Sequence, residues 1–260
     1  MILFVFEGVE REPRIFKTLK RLFFGEGEIV VCSFGNNIYE LYRQLKSFEG
    51  NGDIVSLLRE IHADGLPCGV RSSDFSEIYL FFDYDFQNIN LSLEEMNRRL
   101  KEMLTMFCDE TDCGKLFVSY PMLESLSYTK ALPDAHFVEY TVFRSDCMAR
   151  PFKDLAKEFS FYGSLNFLEL PDPAHHNIKQ HEAERVRQNW LHLVRQHTAK
   201  ANYICNGQNE LPADKLDIAQ IKIFNGQCDK YLCDGDQIAV LSGFPLFLYE
   251  YFRVLNAATL

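Results

Sequence analysis

The sequence predicts an α/β fold, a mostly parallel sheet flanked by helices, followed by a mainly helical C-terminal subdomain. Three observations predict it. Residues 2–6 (ILFVF) and 77–82 (EIYLFF) are near-continuous apolar runs, as expected of central parallel strands buried on both faces. Segments with helical apolar spacing alternate with strands in the order β-α-β-α-β-α-β, the pattern of crossover units. After about residue 146 helical patterns dominate. The expected units are therefore residues 1–145 and 146–260.

The elements follow in order. Glu7-Gly8 ends the first strand, and Pro13 suits the first turn of the next helix. Ile15, Phe16, Leu19, Leu22 and Phe23 supply that helix with a buried stripe. Residues 28–34 form a second strand stopped by Gly35-Asn36-Asn37, and Ile38, Leu41, Tyr42 and Leu45 share one face of a second helix. Asp53 is placed to cap a short helix through Ile61. The strand at 77–82 runs into Asp83-Tyr84-Asp85. Ser92 and Glu95 then have capping-box spacing ahead of a helix carrying Leu93, Met96, Leu100, Leu104 and Phe107. Residues 115–120 give a fourth strand and 137–143 a candidate fifth. Beyond these, a polar helix is expected across 174–199, a looser segment at 205–237 and an aromatic helix from about 243 to 255.

Bulk properties narrow the function classes. The apolar content of 47% and charged content of 25% are those of a globular chain. The opening apolar run is too short to span a bilayer and lacks a signal-peptide pattern, so a soluble, cytoplasmic protein without membrane contact is expected. Eight cysteines are spread along the chain with no CxxC pair, which points to reduced thiols. The net charge of −10 argues against broad electrostatic binding of nucleic acid. A local basic patch still works, because salt screens charge beyond about 8 Å. With no GxxxxGK[ST] loop and no GxGxxG, any ATPase activity would have to come from a protein partner.

In open α/β sheets, ligands sit beyond the carboxyl ends of the strands. Glu7 and Asp83 each follow a buried strand immediately, and neighbouring strands lie about 4.8 Å apart. Asp85 faces the same side as Asp83 if the chain stays extended. Crowded carboxylates raise one another's pKa unless a cation intervenes, and Mg²⁺ or Mn²⁺ takes hard oxygen ligands of this kind. The plain alternative is that such acids cap helices or face solvent.

An apolar strand ending in Glu7-Gly8, then a later one ending in Asp83-Tyr84-Asp85, is similar to the TOPRIM pattern, within the wider Rossmann-like class. The opening FEGVEREPRIF looks closer to bacterial defence nucleases of the RloB-like, AriB-like and OLD types. The resemblance covers roughly residues 1–130. It implies a magnesium-dependent nuclease that cleaves phosphodiester bonds in RNA or DNA and serves as an anti-phage defence effector. Glu7 would be the general acid/base or a metal ligand, and Asp83 and Asp85 would hold Mg²⁺. Glu10 or Glu12 would hold a second ion, although Glu12, just before Pro13, also suits a helix N-terminus. One departure is that Phe86 and Gln87 follow the Asp pair where some members carry another acid. Glu124, in Pro121-Met122-Leu123-Glu124, resembles the Pro-x-x-Glu segment of RloB-like proteins; the alternative is an ordinary helix-start glutamate.

Arg11, Arg14, Lys17, Lys20 and Arg21 form the densest basic run. Arg14, Lys17 and Arg21 fall opposite the buried stripe, so with Arg11 they are the candidate nucleic-acid contacts; the alternative is a solvated helix face. A second basic run (Lys179, Arg185, Arg187, Arg195, Lys200) is interrupted by Glu182 and Glu184. Five of the seven histidines lie between 175 and 197 without metal-site spacing and read as a polar helix surface. The competing reading of the whole chain is a non-catalytic scaffold that binds a protein partner such as an ATPase. The oligomeric state is open, a homo-oligomer included.

Overall fold

A computed structural model of the chain describes residues 1–48, 53–172 and 178–252. The chain divides into two compact units, Met1–Val118 and Ser119–Leu260. The change of sequence texture near residue 146 falls inside the second unit.

In the first unit, β1 (Ile2–Phe6) is an interior strand of a five-stranded sheet, and its Leu3, Phe4, Val5 and Phe6 are wholly buried. Its neighbours are β2 (Ile29–Ser33) and β3 (Glu77–Asp83), both parallel to it, with Phe6 opposite Ser33 on one side and Phe81 on the other. The sheet continues through β5 (Gly114–Ser119) to β4 (Cys108–Asp109), a two-residue edge strand antiparallel to β5. The order is β2-β1-β3-β5-β4. The mostly parallel sheet expected from the apolar runs is therefore present. A strand buried on both faces has no polar side to alternate with, so its sequence reads as a solid apolar block.

Helices flank this sheet. α1 (Arg11–Phe23) buries Ile15, Phe16 and Leu19, and Phe16 packs on Phe4 with ring centroids 4.2 Å apart. α2 (Ile38–Ser47) is capped by Asn37, whose side chain accepts from the N–H groups of Tyr39 and Glu40. Asp53 caps α3 (Ile54–Glu60) through the Val55 N–H, as its position before the apolar run predicts. Ser92 caps α4 (Leu93–Met106) through the Glu95 N–H, at 3.2 Å. α4 packs against α2, where the Tyr42 hydroxyl donates to Glu102 at 2.9 Å.

The second unit is mainly helical, with several departures from expectation. Residues 137–143 do not add a strand to the main sheet. Phe137–Glu139 closes a 3₁₀ turn, and only β6 (Thr141–Phe143) is extended, pairing antiparallel with β7 (Gln237–Ala239) in a separate two-stranded sheet. Local bonds explain the break: the His136 N–H binds Asp134 Oδ1, and the Glu139 N–H binds the His136 carbonyl. α5 (Arg144–Ala149) and α6 (Phe152–Phe159) follow.

The polar helix expected over 174–199 is instead α7 (Gln180–Asn206), which runs further and is the core of this unit. His175 and His176 lie outside the described residues. Trp190, Leu193, His197, Lys200 and Ala201 are fully buried, so neither the histidine surface nor the second basic run holds along its whole length. Lys200 is buried because two backbone carbonyls, of Phe137 and Tyr140, accept from its ammonium group. The segment 205–237 is not loose: it contains α8 (Gln220–Gln227), a π turn at Cys228–Leu232 and α9 (Cys233–Gly235). α10 (Gly243–Phe252) packs on α7 with Phe244 and Phe247 buried, and the expected continuation to 255 lies outside the described residues. Among the described residues no helix is long and apolar enough to cross a membrane.

Candidate functional site at the ends of two parallel strands

The chain leaves β1 through α1 to β2 on one side, then crosses back to β3 on the other side of β1. The two connections from this strand pair diverge, and a crevice opens between the carboxyl ends of β1 and β3. This is the topological switch point at which open α/β sheets bind ligands. Glu7 is the first residue after β1, and Asp83 is the last residue of β3.

Sheet pairing carries on past β1 and fixes the backbone of Glu7 from both sides. Its N–H donates to the Phe81 carbonyl at 3.0 Å, and its carbonyl accepts from the Gly35 N–H at 2.9 Å. Gly35 makes that contact from the left-handed region (φ +76°), which glycine enters without strain. The Glu7 side chain then turns toward β3, where Oε2 accepts from the backbone N–H of Asp83 at 2.9 Å. Asp83 itself is buried at 8% exposure.

The chain does not stay extended to Asp85. Asp85 takes a left-handed conformation (φ +48°), and its carbonyl accepts from the Asn88 N–H to close a turn. Aspartate tolerates this region better than most residues. The neighbours on either side are anchored: Tyr84 and Phe86 are fully buried and stack with centroids 5.8 Å apart. The Tyr39 hydroxyl donates to the Tyr84 carbonyl at 2.5 Å, and the Tyr84 hydroxyl donates to Asn97. Gln87 donates to Asp85 Oδ1 at 2.9 Å.

Glu12 joins the group from the first turn of α1. Its Oε1 accepts from the Gly8 N–H at 3.1 Å. A Cβ on Gly8 would lie 2.4 Å from Glu12 Oε2, so the absence of a side chain at Gly8 leaves that carboxylate its place. The Glu7 carboxyl is held well above the usual carboxylate range. Burial is the main cause and the Asp85 charge the next; the Asp83 N–H pulls the other way, and the Glu12 charge adds to the rise.

Glu7 and Asp83 thus stand at the carboxyl ends of β1 and β3 in the first unit, with Asp85 and Glu12 close enough for their charges to act on Glu7. Glu10 is exposed at the N-cap of α1, and its side chain caps no helix N–H. Arg11, Arg14, Lys17 and Arg21 are all exposed on α1, away from the buried Ile15, Phe16 and Leu19. Glu124 belongs to the second unit, buried in the 3₁₀ turn Leu123–Leu126, with its carbonyl accepting from the Ser127 N–H.

Whether these residues suit a divalent cation turns on donor type and crowding. All four offer hard carboxylate oxygens, and the mutual repulsion felt by Glu7 is the kind a cation relieves. Among the described residues no three acid, histidine or cysteine side chains already converge as a metal shell. Magnesium does not require one: it keeps most of its waters and is held by one or two carboxylates together with substrate phosphate. The donor set fits such an ion, with Asp83 and Asp85 the residues that would hold it. Comparison of the chain with protein-family models, curated proteins and solved structures returns no match.

Proposed function

We propose that this chain is a TOPRIM-like nuclease that uses Mg²⁺ or Mn²⁺ to cleave phosphodiester bonds in RNA or DNA, acting in the cytoplasm as an anti-phage defence effector. The observation that carries the reading is the seating of the Glu7 carboxylate on the Asp83 N–H at the β1/β3 switch point, with Asp85 and Glu12 within its electrostatic reach. A metal ion bound there would activate a water and steady charge on the phosphate and the leaving oxygen. The chain's own residues have distinct parts. Asp83 and Asp85 bind the cation. Glu7, whose Oε2 is committed to the Asp83 N–H, gives or takes a proton at Oε1. Arg14, Lys17 and Arg21, exposed on the helix that starts at the crevice, position the phosphate backbone.

The test is cleavage of total tRNA, single-stranded RNA, plasmid and single-stranded DNA in Mg²⁺ and in Mn²⁺, with Asp83→Ala in parallel. Cleavage by the wild type that vanishes in the variant supports the reading and names the substrate class. No cleavage of any member rejects an autonomous nuclease.

A second reading is favoured by the lack of a ready metal shell among the described residues. In it the acidic crevice is retained as part of a scaffold, and the working surface is one that binds a protein partner such as an ATPase. Co-purification with such a partner, together with full function of Asp83→Ala in cells, would establish it.

A further inference from the structure

The second unit contains a pocket of about 620 Å³ with an aromatic wall and a rim of mixed charge. Tyr128 and Phe159 make the wall as a parallel stack, with centroids 4.1 Å apart and planes 3° from parallel. Phe143 and Phe161 line the same pocket yet are 47% and 79% exposed. Single exposed apolar residues are ordinary, but two phenylalanines opening on one pocket offer flat faces to a ligand. The volume is that of a small-molecule site, about 300–1,000 Å³.

Two charged groups on the rim are uncommitted. The Lys130 ammonium lies 4.6 Å from the centroid of Phe159 and makes no hydrogen bond or ion pair with another described residue. The Asp146 carboxylate likewise makes none among the described residues. Glu158, also on the rim, is held by Arg150 at 2.7 Å.

This combination selects a ligand class. An anion would meet Asp146 and Glu158, and a cation would meet Lys130, which already covers one face of Phe159. A neutral planar group with N–H donors on one edge and acceptors on another satisfies both charges. Its donors face Asp146, its carbonyl or ring nitrogen faces Lys130, and its π face lies on phenylalanine. We propose that this pocket takes one unstacked nucleobase, stacked on Phe161 and Phe143 and held at its edges by Asp146 and Lys130. The choice of a nucleobase among planar heterocycles rests on the phosphodiester reading of the first unit. The base can come from a free nucleotide or from a single strand.

Calorimetric titration of the full chain in EDTA tests this without any cleavage. The probes are GMP, AMP, CMP, UMP, a single-stranded RNA of about eight nucleotides, and free tryptophan as a planar zwitterion. Saturable binding of at least one mononucleotide or of the RNA is expected, weakened about tenfold or more by Phe161→Ala and by Asp146→Asn. Phe161 and Asp146 are exposed, so neither substitution threatens the fold. RNA binding tighter than mononucleotide binding supports a strand as the source, and equal binding supports a free nucleotide. No binding of any nucleotide or RNA, binding indifferent to both substitutions, or binding of tryptophan alone overturns the proposal. Failure here and failure of the nuclease reading separate cleanly. A chain that binds nucleotides in EDTA but never cleaves in metal keeps the pocket and loses the nuclease; a chain that cleaves but does not bind through Phe161 and Asp146 does the reverse.

Discussion

The backbone N–H of Asp83 donates to Glu7 Oε2 at 2.9 Å, so the last peptide of β3 is held by the first side chain after β1. One contact thereby serves both structure and chemistry, and two substitutions separate the roles. Glu7→Ala leaves a buried N–H without its acceptor, which costs about 1–3 kcal/mol. Glu7→Gln keeps an acceptor oxygen and removes a charge that burial, Asp85 and Glu12 all disfavour. The glutamine variant is expected to equal or exceed the wild type in urea midpoint, the alanine variant to fall below it, and both to lose cleavage. A glutamine variant as unstable as the alanine one would show instead that the charge itself holds the strands together.

The contact between Gly8 and Glu12 makes a second prediction. Gly8→Ala places a methyl 2.4 Å from Glu12 Oε2, and the flexible end of Glu12 must swing away from the Gly8 N–H it now accepts at 3.1 Å. Loss of that bond costs about 0.5–1.5 kcal/mol and moves one carboxylate out of the crevice. In a Glu12→Ala background there is nothing to displace, so the same Gly8→Ala change is expected to be near neutral. Urea denaturation of the four chains in this cycle measures the coupling. Additive costs would mean that Gly8 is glycine for another reason.

Much of this site is legible in the amino-acid sequence, and the reason is particular to it. Leu3–Phe6 and Ile78–Phe82 are buried on both faces, so their apolar runs mark central strands and their ends mark the carboxyl edge. Asp53 and Ser92 are readable as caps because capping is a local bond between neighbours in sequence. What stays hidden is non-local. That the Glu7 carboxylate binds the Asp83 N–H depends on β1 and β3 being adjacent, which pairing across 76 positions decides and no local spacing encodes. The left-handed turn at Asp85 is hidden because nothing but its neighbours' burial requires it. Lys200 reads as surface because lysine is usually exposed, and His197 because it sits in a run rich in polar residues. Only the partners supplied by Ser242, Phe137 and Tyr140, each more than 40 positions away, make their burial tolerable.

Those two buried groups predict how stability depends on pH. His197 Nδ1 accepts from the Ser242 N–H at 3.0 Å, its ring lies 4.4 Å from Phe137, and its Nε2 is buried with no partner among the described residues. Burial first, and the nearby Lys200 second, hold its pKa well below the ordinary histidine value. The unfolded chain therefore takes up the proton first, so the contribution is intact above about pH 6.5 and is lost as the pH falls toward the folded value. The loss is limited to about 1.4 kcal/mol per pH unit for one group. Lys200, also depressed by burial, acts in the same direction from about pH 10.4 downward. Glu7 acts in the opposite direction, because its raised pKa lets the folded chain take the proton first. The His197 part is isolated by His197→Asn, which keeps an acceptor for the Ser242 N–H and cannot be protonated. Between about pH 7 and pH 5.5, urea midpoints of the wild type are expected to fall more steeply than those of the variant. Parallel slopes would mean that His197 takes up its proton in the folded state, at the Nδ1 that accepts from the Ser242 N–H.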